Sequence, residues 1–380
     1  MTRDPKDGSR GDEPSENEQS NRPVIELTGP EQHCRMKVSA AQSAKGASLT
    51  SAELQRIYNG RAWNAPLDAR ERIRGGLLGL LVGDAIGVPY EFKPASEMPR
   101  LEDIGHGFPP DFRRAHPHAP ADAWSDDGAQ ALCLLASLLH CDKLDPDDFA
   151  RRMVNWYEHG YMAVDDMVFD VGVQTSQVLR AISAGRHWSD VVATHDERHN
   201  GNGSLMRVLP LALWHAGSDA ELVHDARLQS RVTHGHLRSQ LCCALYCLWA
   251  RRLFAGRGDT FADATDALYE IVSAEREALV ELDQSICPRK ALLACGTGYV
   301  VDTLHSARVA MSEDSYERVV QRAISLGDDT DTTAAVAGGL AGIRDGVSAI
   351  PLRWRLNASG QRLVEPMLEQ LLERRVRDKR

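Results

Sequence analysis

Three acidic residues stand directly before a helical run of small residues, within the segment 327–342. An acid at a helix start is often only an N-cap, because its oxygens accept hydrogen bonds from unpaired backbone N–H groups. Capping accounts for one acid or two, but not easily for Asp328, Asp329 and Asp331 together. Carboxylates this close repel one another, and a cation or a solvent-filled site has to offset that repulsion. The segment therefore requires a fold in which this helix begins at such a site.

A second acidic helix start lies far upstream, at Ser125-Asp126-Asp127. If it faces the segment 327–332, the two clusters together supply the all-oxygen shell that Mg²⁺ and Mn²⁺ prefer. The sequence therefore predicts a metal site that is bridged by carboxylates from two helix starts.

The apolar pattern is helical over nearly the whole chain after Pro66. Apolar residues recur at spacings of three and four, and Gly, Pro or Asp punctuates the joins. Few runs alternate strictly, so we expect no mixed sheet and predict a single all-α domain over 67–380. The predicted helices include 68–81, 130–139, 146–159, 171–184, 205–216, 238–254, 260–279, 298–311, 315–325 and 332–344.

The first 66 residues differ in composition from the rest of the chain. Residues 1–22 contain almost no apolar side chain, so we predict that they are disordered. A short helix is expected at 51–60, with Ser51 as its cap and Gly60 as its stop. This helix either docks on its own domain or belongs to an arm that reaches a partner protein, and the sequence leaves both interpretations open.

Charge and cysteine content exclude several classes of partner. A net charge of −10 gives no global reason to bind nucleic acid or an anionic membrane. None of the eight cysteines forms a C-x-x-C pair, which favours buried thiols in a reducing compartment over a zinc or disulfide framework. No signal peptide opens the chain, and no apolar run reaches the roughly 20 residues of a membrane helix. We expect a soluble cytoplasmic protein.

Further candidate residues carry weaker signals. Glu91 follows a turn at Pro89 and is by itself more typical of a surface, whereas Asp170 is by itself typical of a helix cap. The glycine-rich turn 201–207 runs into a helix, and its N–H groups could cradle a phosphate or pyrophosphate. The His234 motif, Thr-His, is weaker still, because such histidines are more often structural than ligands.

The order of these motifs along the chain is more informative than any one of them. It resembles the ADP-ribosylglycohydrolase family, of the type that removes ADP-ribose from arginine on dinitrogenase reductase, over about residues 70–355. This resemblance implies an orthogonal all-α helix bundle with two Mg²⁺ or Mn²⁺ ions. The seven motifs are Gly83–Glu91, Trp124–Asp127, Phe169–Gly172, Gly201–Arg207, Thr233–His234, Gly298–Leu304 and Gly327–Thr332.

The resemblance also implies roles for individual residues. Glu91, Asp170 and Asp127 fall at catalytic positions, with Glu91 near the metals and Asp170 near the scissile bond. Two positions depart from the family pattern, since Ser125 replaces the usual threonine and Gly128 stands where a threonine often follows the acids. The implied metal ligands are Ser125, Asp126, Asp127, Asp329, Asp331 and Thr332. The implied substrate-binding residues are Gly201, Asn202, Gly203, Ser204, Met206, Arg207 and His234.

The function implied is metal-dependent hydrolysis that removes ADP-ribose from modified protein side chains, most readily from arginine. Glu91 or Asp170 would handle the proton that moves between water and the leaving guanidine. One alternative is a catalytically weak ADP-ribose-binding or partner-blocking protein, which metal-dependent release of free ADP-ribose would distinguish from the enzyme. Another is an immunity protein whose extension 1–66 blocks an ADP-ribosylating toxin. The acids alone would also suit an unrelated metal hydrolase such as a phosphatase.

Overall fold

Helices form nearly all the regular structure of this chain. The structure is a computed structural model, and it describes residues 67–120, 122–192, 198–256, 259–291, 293–354 and 358–377. The predicted extension 1–66 and its short helix at 51–60 lie outside the described residues. The helices are α1 Ala69–Gly87, α2 Asp126–Cys141, α3 Pro146–His159, α4 Val173–Ser183, α5 Leu209–Trp214, α6 Asp219–Ser230, α7 Leu237–Phe254, α8 Thr260–Ile271, α9 Arg276–Glu281, α10 Val300–Ala310, α11 Tyr316–Ile324, α12 Thr330–Asp345 and α13 Ala358–Arg377.

The predicted all-α class is confirmed. In the described part of the chain, strand-like pairing is limited to two isolated bridges, Pro94 with Gly327 and Gly201 with Tyr299. None of the described helices is both long and apolar enough to cross a membrane.

Several predicted boundaries differ from those of the structure. Helix α1 continues past residue 81 to Gly87, and the predicted helix 260–279 is broken into α8 and α9. The sequence analysis named no helix over α6, whose apolar residues make no clear stripe. Its start nevertheless carries a capping box, in which the side chains of Ser218 and Glu221 each accept from the other's backbone N–H.

The antiparallel packing of α1 against α12 determines where the acidic residues lie. A Cβ atom on Gly75 would be 2.1 Å from the carbonyl oxygen of Gly342, and one on Gly342 would be 1.9 Å from that of Gly75. Only glycine therefore permits this backbone contact. At the other end of the contact, the Thr330 hydroxyl donates to the Gly87 carbonyl oxygen at 2.8 Å. The end of α1 consequently lies beside the start of α12.

Helix α7 runs through the hydrophobic core and contacts α6, α8, α10 and α12. Its cysteines Cys242, Cys243 and Cys247 are fully buried free thiols. Burial raises the pKa of Cys243 to about 11, so this thiol stays protonated and unreactive near neutral pH. The thiols of α7 therefore serve packing, as the sequence predicts.

Candidate active site

Three helix ends and one loop bring seven carboxyl groups together. The groups come from the end of α1, the starts of α2 and α12, and the loop before α4. Most of them are almost completely shielded from solvent, with exposed fractions between 0% and 4% for Asp84, Glu91, Asp126, Asp127 and Asp331. The seven residues are Asp84, Glu91, Asp126, Asp127, Asp170, Asp329 and Asp331.

Asp84 of α1 holds the start of α2 in place. Its carboxylate accepts from the N–H of Ser125 at 2.9 and 3.1 Å and from the N–H of Gly128 at 2.8 Å. These N–H groups belong to the first turn of α2, where no helical carbonyl is within reach. The sequence analysis gave Asp84 no role. An acid between glycines at the end of an apolar helix was the signal that could have identified it.

The two departures at α2 are compatible with its geometry. Ser125 keeps the capping role, because its hydroxyl accepts from the N–H of Asp127 at 3.3 Å. A Cβ on Gly128 would lie 2.6 Å from Cγ of Trp124, which is itself buried. The glycine therefore makes room for an indole whose Nε1–H donates to the carbonyl oxygen of Met162 at 3.0 Å.

The two acidic helix starts contact each other through Thr332. Its hydroxyl donates to Oδ1 of Asp127 at 3.2 Å, and its N–H donates to Oδ1 of Asp331 at 2.9 Å. The second oxygen of each carboxylate, Oδ2 of Asp127 and Oδ2 of Asp331, is buried without a hydrogen-bond donor among the described residues. Buried anionic oxygens without donors are unfavourable unless a cation compensates them. This donor set of hard oxygens therefore fits a divalent cation such as Mg²⁺ or Mn²⁺.

Capping does not explain the acids at α12. Asp329 occupies the N-cap position, yet its side chain makes no capping hydrogen bond. Its Oδ2 instead accepts from the Asn202 side chain at 2.8 Å. Asp328 acts through its backbone, which exchanges hydrogen bonds with the N–H of Phe92 and the carbonyl oxygen of Lys93.

The pKa values of these carboxyl groups are raised. Burial, followed by repulsion from Asp331, raises the pKa of Asp329 to about 8. Burial raises the pKa of Asp84 to about 7 despite the N–H groups that it accepts from. The pKa values of Asp127 and Asp331 lie well above the usual range for the same reason, burial reinforced by neighbouring carboxylates. A bound cation would favour the charged forms and so reverse these shifts.

Glu91 and Asp170 lie together, each outside its ordinary role. Glu91 follows the turn Val88–Tyr90 but is buried rather than on the surface. Asp170 does not cap α4, whose N-cap is Gly172. The sequence analysis did not select His116, whose Nε2 lies 2.6 Å from Oε2 of Glu91 and 3.8 Å from Oδ1 of Asp170.

The glycine loop reaches the acidic cluster through one residue. Asn202 donates from its backbone to the Gly298 carbonyl oxygen at 3.0 Å and from its side chain to Thr303 Oγ1 and to Asp329. His234 lies under the same loop, because a Cβ on Gly203 would be 2.8 Å from its Cε1. Since a Cβ on Gly201 would be 3.7 Å from His234 Nε2, the residues 201–203 of the loop pack against the buried His234.

The side chains of Ser204, Met206 and Arg207 lie in the protein interior. All three are buried, with exposed fractions of 0%, 3% and 0%. Arg207 donates to Oε1 of Gln130 at 3.0 Å and to the side chain and carbonyl oxygen of Gln229. The substrate-binding role implied for these three residues stays a prediction, and their buried side chains leave that role to the backbone of the loop.

Arg207 instead supports the acids from behind. The Gln130 side chain that accepts from Arg207 also donates from Nε2 to Oδ2 of Asp126 at 2.8 Å. The Arg207 guanidinium also lies over the Phe149 ring, 5.1 Å from its centroid. The Arg207 guanidinium therefore does not contact the acidic cluster directly, and it orients Asp126 through the side-chain amide of Gln130.

The model of the family described as ADP-ribosylglycohydrolase matches residues 65–380. ADP-ribosylarginine hydrolase Tri1 of Pseudomonas putida is 32% identical over 323 residues, covering 81% of this chain and 80% of that protein. ADP-ribosyl-[dinitrogen reductase] glycohydrolase of Rhodospirillum rubrum is 28% identical over 313 residues, covering 80% and 96%. A solved ADP-ribosylglycohydrolase-related protein complex superposes with a TM-score of 0.57 at 29% identity, covering 80% and 97%. This chain therefore belongs to the ADP-ribosylglycohydrolase family of glycosidases.

Proposed function

We propose that this protein is a metal-dependent hydrolase that removes ADP-ribose from arginine side chains of modified proteins. The observation that carries the proposal is the pair of buried oxygens without donors, on Asp127 and Asp331, at two helix starts joined by Thr332. The arginine linkage is supported by the hydrolases from Pseudomonas putida and Serratia proteamaculans that this chain resembles, both called ADP-ribosylarginine hydrolase.

Two Mg²⁺ or Mn²⁺ ions would be held by the side chains of the two acidic helix starts. When bound, such ions supply Lewis acidity and an oriented, more acidic water. Ser125 and Thr332 would contribute hydroxyls to this shell, and Asp84 keeps the first turn of α2 in position behind it. The proposed ligands are Ser125, Asp126, Asp127, Asp329, Asp331 and Thr332.

The chain's own carboxylates would move the protons. Hydrolysis breaks the bond between ribose C1′ and the guanidine nitrogen, and it forms a bond between C1′ and the water oxygen. One proton leaves the water and one reaches the leaving guanidine, and we assign this exchange to Glu91 and Asp170. Both lie in the same group of close side chains with His116. An Asp170→Ala protein that keeps metal affinity and full turnover would remove Asp170 from the scheme.

Substrate would be held beside the acids by the backbone N–H groups of the loop Gly201–Arg207 and by His234. Asn202 already donates to Asp329, so the loop that would hold the ADP-ribose and the second acidic cluster share a hydrogen bond. Movement of this loop would therefore displace a proposed metal ligand. Binding of ADP-ribose and binding of metal should accordingly depend on each other.

The test is release of ADP-ribose from an arginine-ADP-ribosylated protein in Mg²⁺, in Mn²⁺ and in EDTA, for the wild type and for Asp329→Ala. A serine-ADP-ribosylated peptide serves as the matched substrate for linkage. We expect metal-dependent release from arginine that the substitution abolishes. If ADP-ribose binds but none is released under any condition, the alternative of an ADP-ribose-binding or partner-blocking protein replaces the enzyme.

We further infer that residues 1–66 form an arm that blocks an ADP-ribosyltransferase toxin, which would make this protein an immunity protein. Nearly all of this polar segment precedes the family match, which begins at residue 65. Cells expressing such a toxin would receive the full chain, a chain starting at residue 61, or the full chain with Asp329→Ala. Protection by the full-length substituted chain indicates blocking without hydrolysis. Equal protection by the chain starting at residue 61 would contradict the arm.

A further inference from the structure

His116 lies in the long connection between α1 and α2, and its side chain reaches the acidic cluster. Its Nε2 is 2.6 Å from Oε2 of Glu91, and the side chains are 17% and 5% exposed. The same nitrogen is 3.8 Å from Oδ1 of Asp170. His116 thus occupies the outer side of the two carboxylates to which we assign the proton exchange.

The surrounding chain holds His116 in this place. The N–H of Ala115 donates to the carbonyl oxygen of Pro89 at 2.9 Å, which ties the connection to the turn that precedes Glu91. His116 itself has a φ of 47°, a left-handed conformation that residues other than glycine adopt only when their surroundings stabilise it. Its ring also contacts the rings of Phe92 and Phe169, with centroid distances of 5.4 and 5.2 Å.

Glu91 needs such a partner because its surroundings are repulsive. Its carboxyl oxygen lies among those of Asp329 and Asp331 in one group of possible ligand atoms within 4.8 Å of one another. A buried glutamate with like charges on its inner side would turn away from them unless something fixes it. The short contact available to fix this carboxylate comes from His116, whose Nε2 lies 2.6 Å from Oε2.

We infer that His116 is a positioning residue for the reaction, acting through Glu91. Its Nε2–H donates to Oε2 of Glu91, which fixes the carboxylate so that Oε1 remains free to meet the reacting water. Fixing the imidazole tautomer and the carboxylate together is the usual effect of a hydrogen bond behind a reacting group. The inference rests on the proposed function, because it concerns the same hydrolysis.

Two substitutions test the hydrogen-bond donor and the ring packing of His116 separately. His116→Phe keeps a ring against Phe92 and Phe169 but removes the donor, whereas His116→Gln keeps an N–H at similar reach and loses the ring. The control is His106→Phe, on the same connection, which breaks a similar pair with Glu317 (3.1 Å) at the surface.

The full chain with Mg²⁺ would be assayed for release of ADP-ribose from an arginine-ADP-ribosylated protein, with kcat and KM determined separately. For His116→Phe we expect kcat to fall by about 10–100-fold, as for other groups behind a reacting side chain. KM and the Kd of free ADP-ribose should change by less than about twofold, or about 0.4 kcal/mol. His116→Gln should recover most of kcat, and His106→Phe should match the wild type.

Two results would overturn the inference while leaving the proposed function intact. One is an active wild type with an unchanged kcat for His116→Phe. The other is an equal loss in His116→Phe and His116→Gln, which would show that a hydrogen-bond donor at this position does not restore the function of Glu91. If the wild type itself releases no ADP-ribose, the proposed function fails and the role of His116 fails with it. Should His116→Phe not fold, as judged by its melting temperature, His116→Ala tests loss of the donor in its place.

Discussion

The contact between α1 and α12 has two ends, and different groups meet at each end. Along Gly75 and Gly342 the two backbones touch with no side chain between them, and the charged Arg72 beside them donates to the carbonyl oxygen of Ile343 at 3.0 Å. At the other end, where Gly87 meets Thr330, the same two helices bring carboxylates together and leave Oδ2 of Asp331 without a donor. The comparison shows how repelling groups are kept close. The glycine contact fixes the helices rigidly, so the acids cannot separate to relieve their repulsion.

Removing one acid should lower the activity without lowering the stability. Asp331→Asn keeps the shape and an oxygen that accepts from Thr332, but it removes a buried charge. We expect the turnover to fall by more than about 100-fold, because even groups behind metal ligands contribute about 10–100-fold. The melting temperature in EDTA should stay the same or rise, since one repelling charge is gone. Assays of ADP-ribose release and thermal unfolding, with and without Mg²⁺, would check both.

The control for this substitution is Asp345→Asn, at the opposite end of the same helix, where Asp345 pairs with Arg344. It should leave turnover unchanged. A lower melting temperature for Asp331→Asn in EDTA, with Asp345→Asn unaffected, would contradict the view that Asp331 is held in a repulsive setting.

Separating α1 from α12 at the glycine contact should lower the stability of the protein. Gly342→Ala puts a methyl group 1.9 Å from the Gly75 carbonyl oxygen, so the helices have to move apart. We expect the free energy of unfolding to fall by about 2–3 kcal/mol, as in other overpacked interiors. Urea denaturation would measure it. Gly172→Ala is the control, because its Cβ would meet nothing nearer than the Thr175 hydroxyl at 3.8 Å. Unchanged stability in both proteins would refute a tight contact between α1 and α12.

Asp84 tests whether the scaffold or the charge controls metal binding. Asp84→Asn keeps one acceptor oxygen, which at the Oδ2 position still reaches both N–H groups, but its NH2 group then faces the N–H of Ser125 where Oδ1 accepted before, and the negative charge is lost. We expect the affinity for Mg²⁺ or Mn²⁺ to fall by about 10–100-fold. Isothermal titration with the metal alone would show it. The control is Asp145→Asn at the N-cap of α3, which should leave the metal affinity nearly unchanged because Asn and Asp cap equally well. Equal affinities for the wild type, Asp84→Asn and Asp145→Asn would exclude a role for Asp84.

The smallest effect is expected where this chain departs from the family pattern. Ser125→Thr keeps the capping hydroxyl, and the extended backbone at this position suits a β-branched residue. Metal affinity should change by less than about 0.5 kcal/mol, roughly twofold. Turnover as a function of Mg²⁺ concentration would measure this. A tenfold change in either direction would mean that the serine is a specific adaptation of this site.

The sequence was most informative where a local pattern determines the structure. The predicted helix 146–159 coincides with α3, where Asp145 caps the start and Gly160 ends the helix in a left-handed conformation. The acidic segments were identified because several carboxylates in a row are difficult to explain by capping. Periodicity therefore predicted the fold class, and the acidic helix starts predicted that Asp126, Asp127, Asp329 and Asp331 lie together, whereas Glu91 and Asp170 were implied only by the family resemblance.

Contacts between distant segments were not predictable in this way. Arg207 follows a glycine loop, but its guanidinium is buried and donates to the side chain and the carbonyl oxygen of Gln229. Gln229 lies in α6, a helix that was not predicted because its apolar residues form no clear stripe. Asp84 and His116 were missed for a related reason, because each acts on a residue of another element and carries no local signature of that role.

The pairing of α1 with α12 also determines when the site can form during synthesis. The hydrogen bond from Thr330 to Gly87 joins residues that are 243 positions apart. At about 5–20 residues per second, a ribosome needs roughly 12–50 s to make the intervening chain. Through that interval the nascent protein carries Glu91 and Asp127 without the helix that opposes them. A site that needs both acidic helix starts therefore forms only after α12 has emerged from the ribosome.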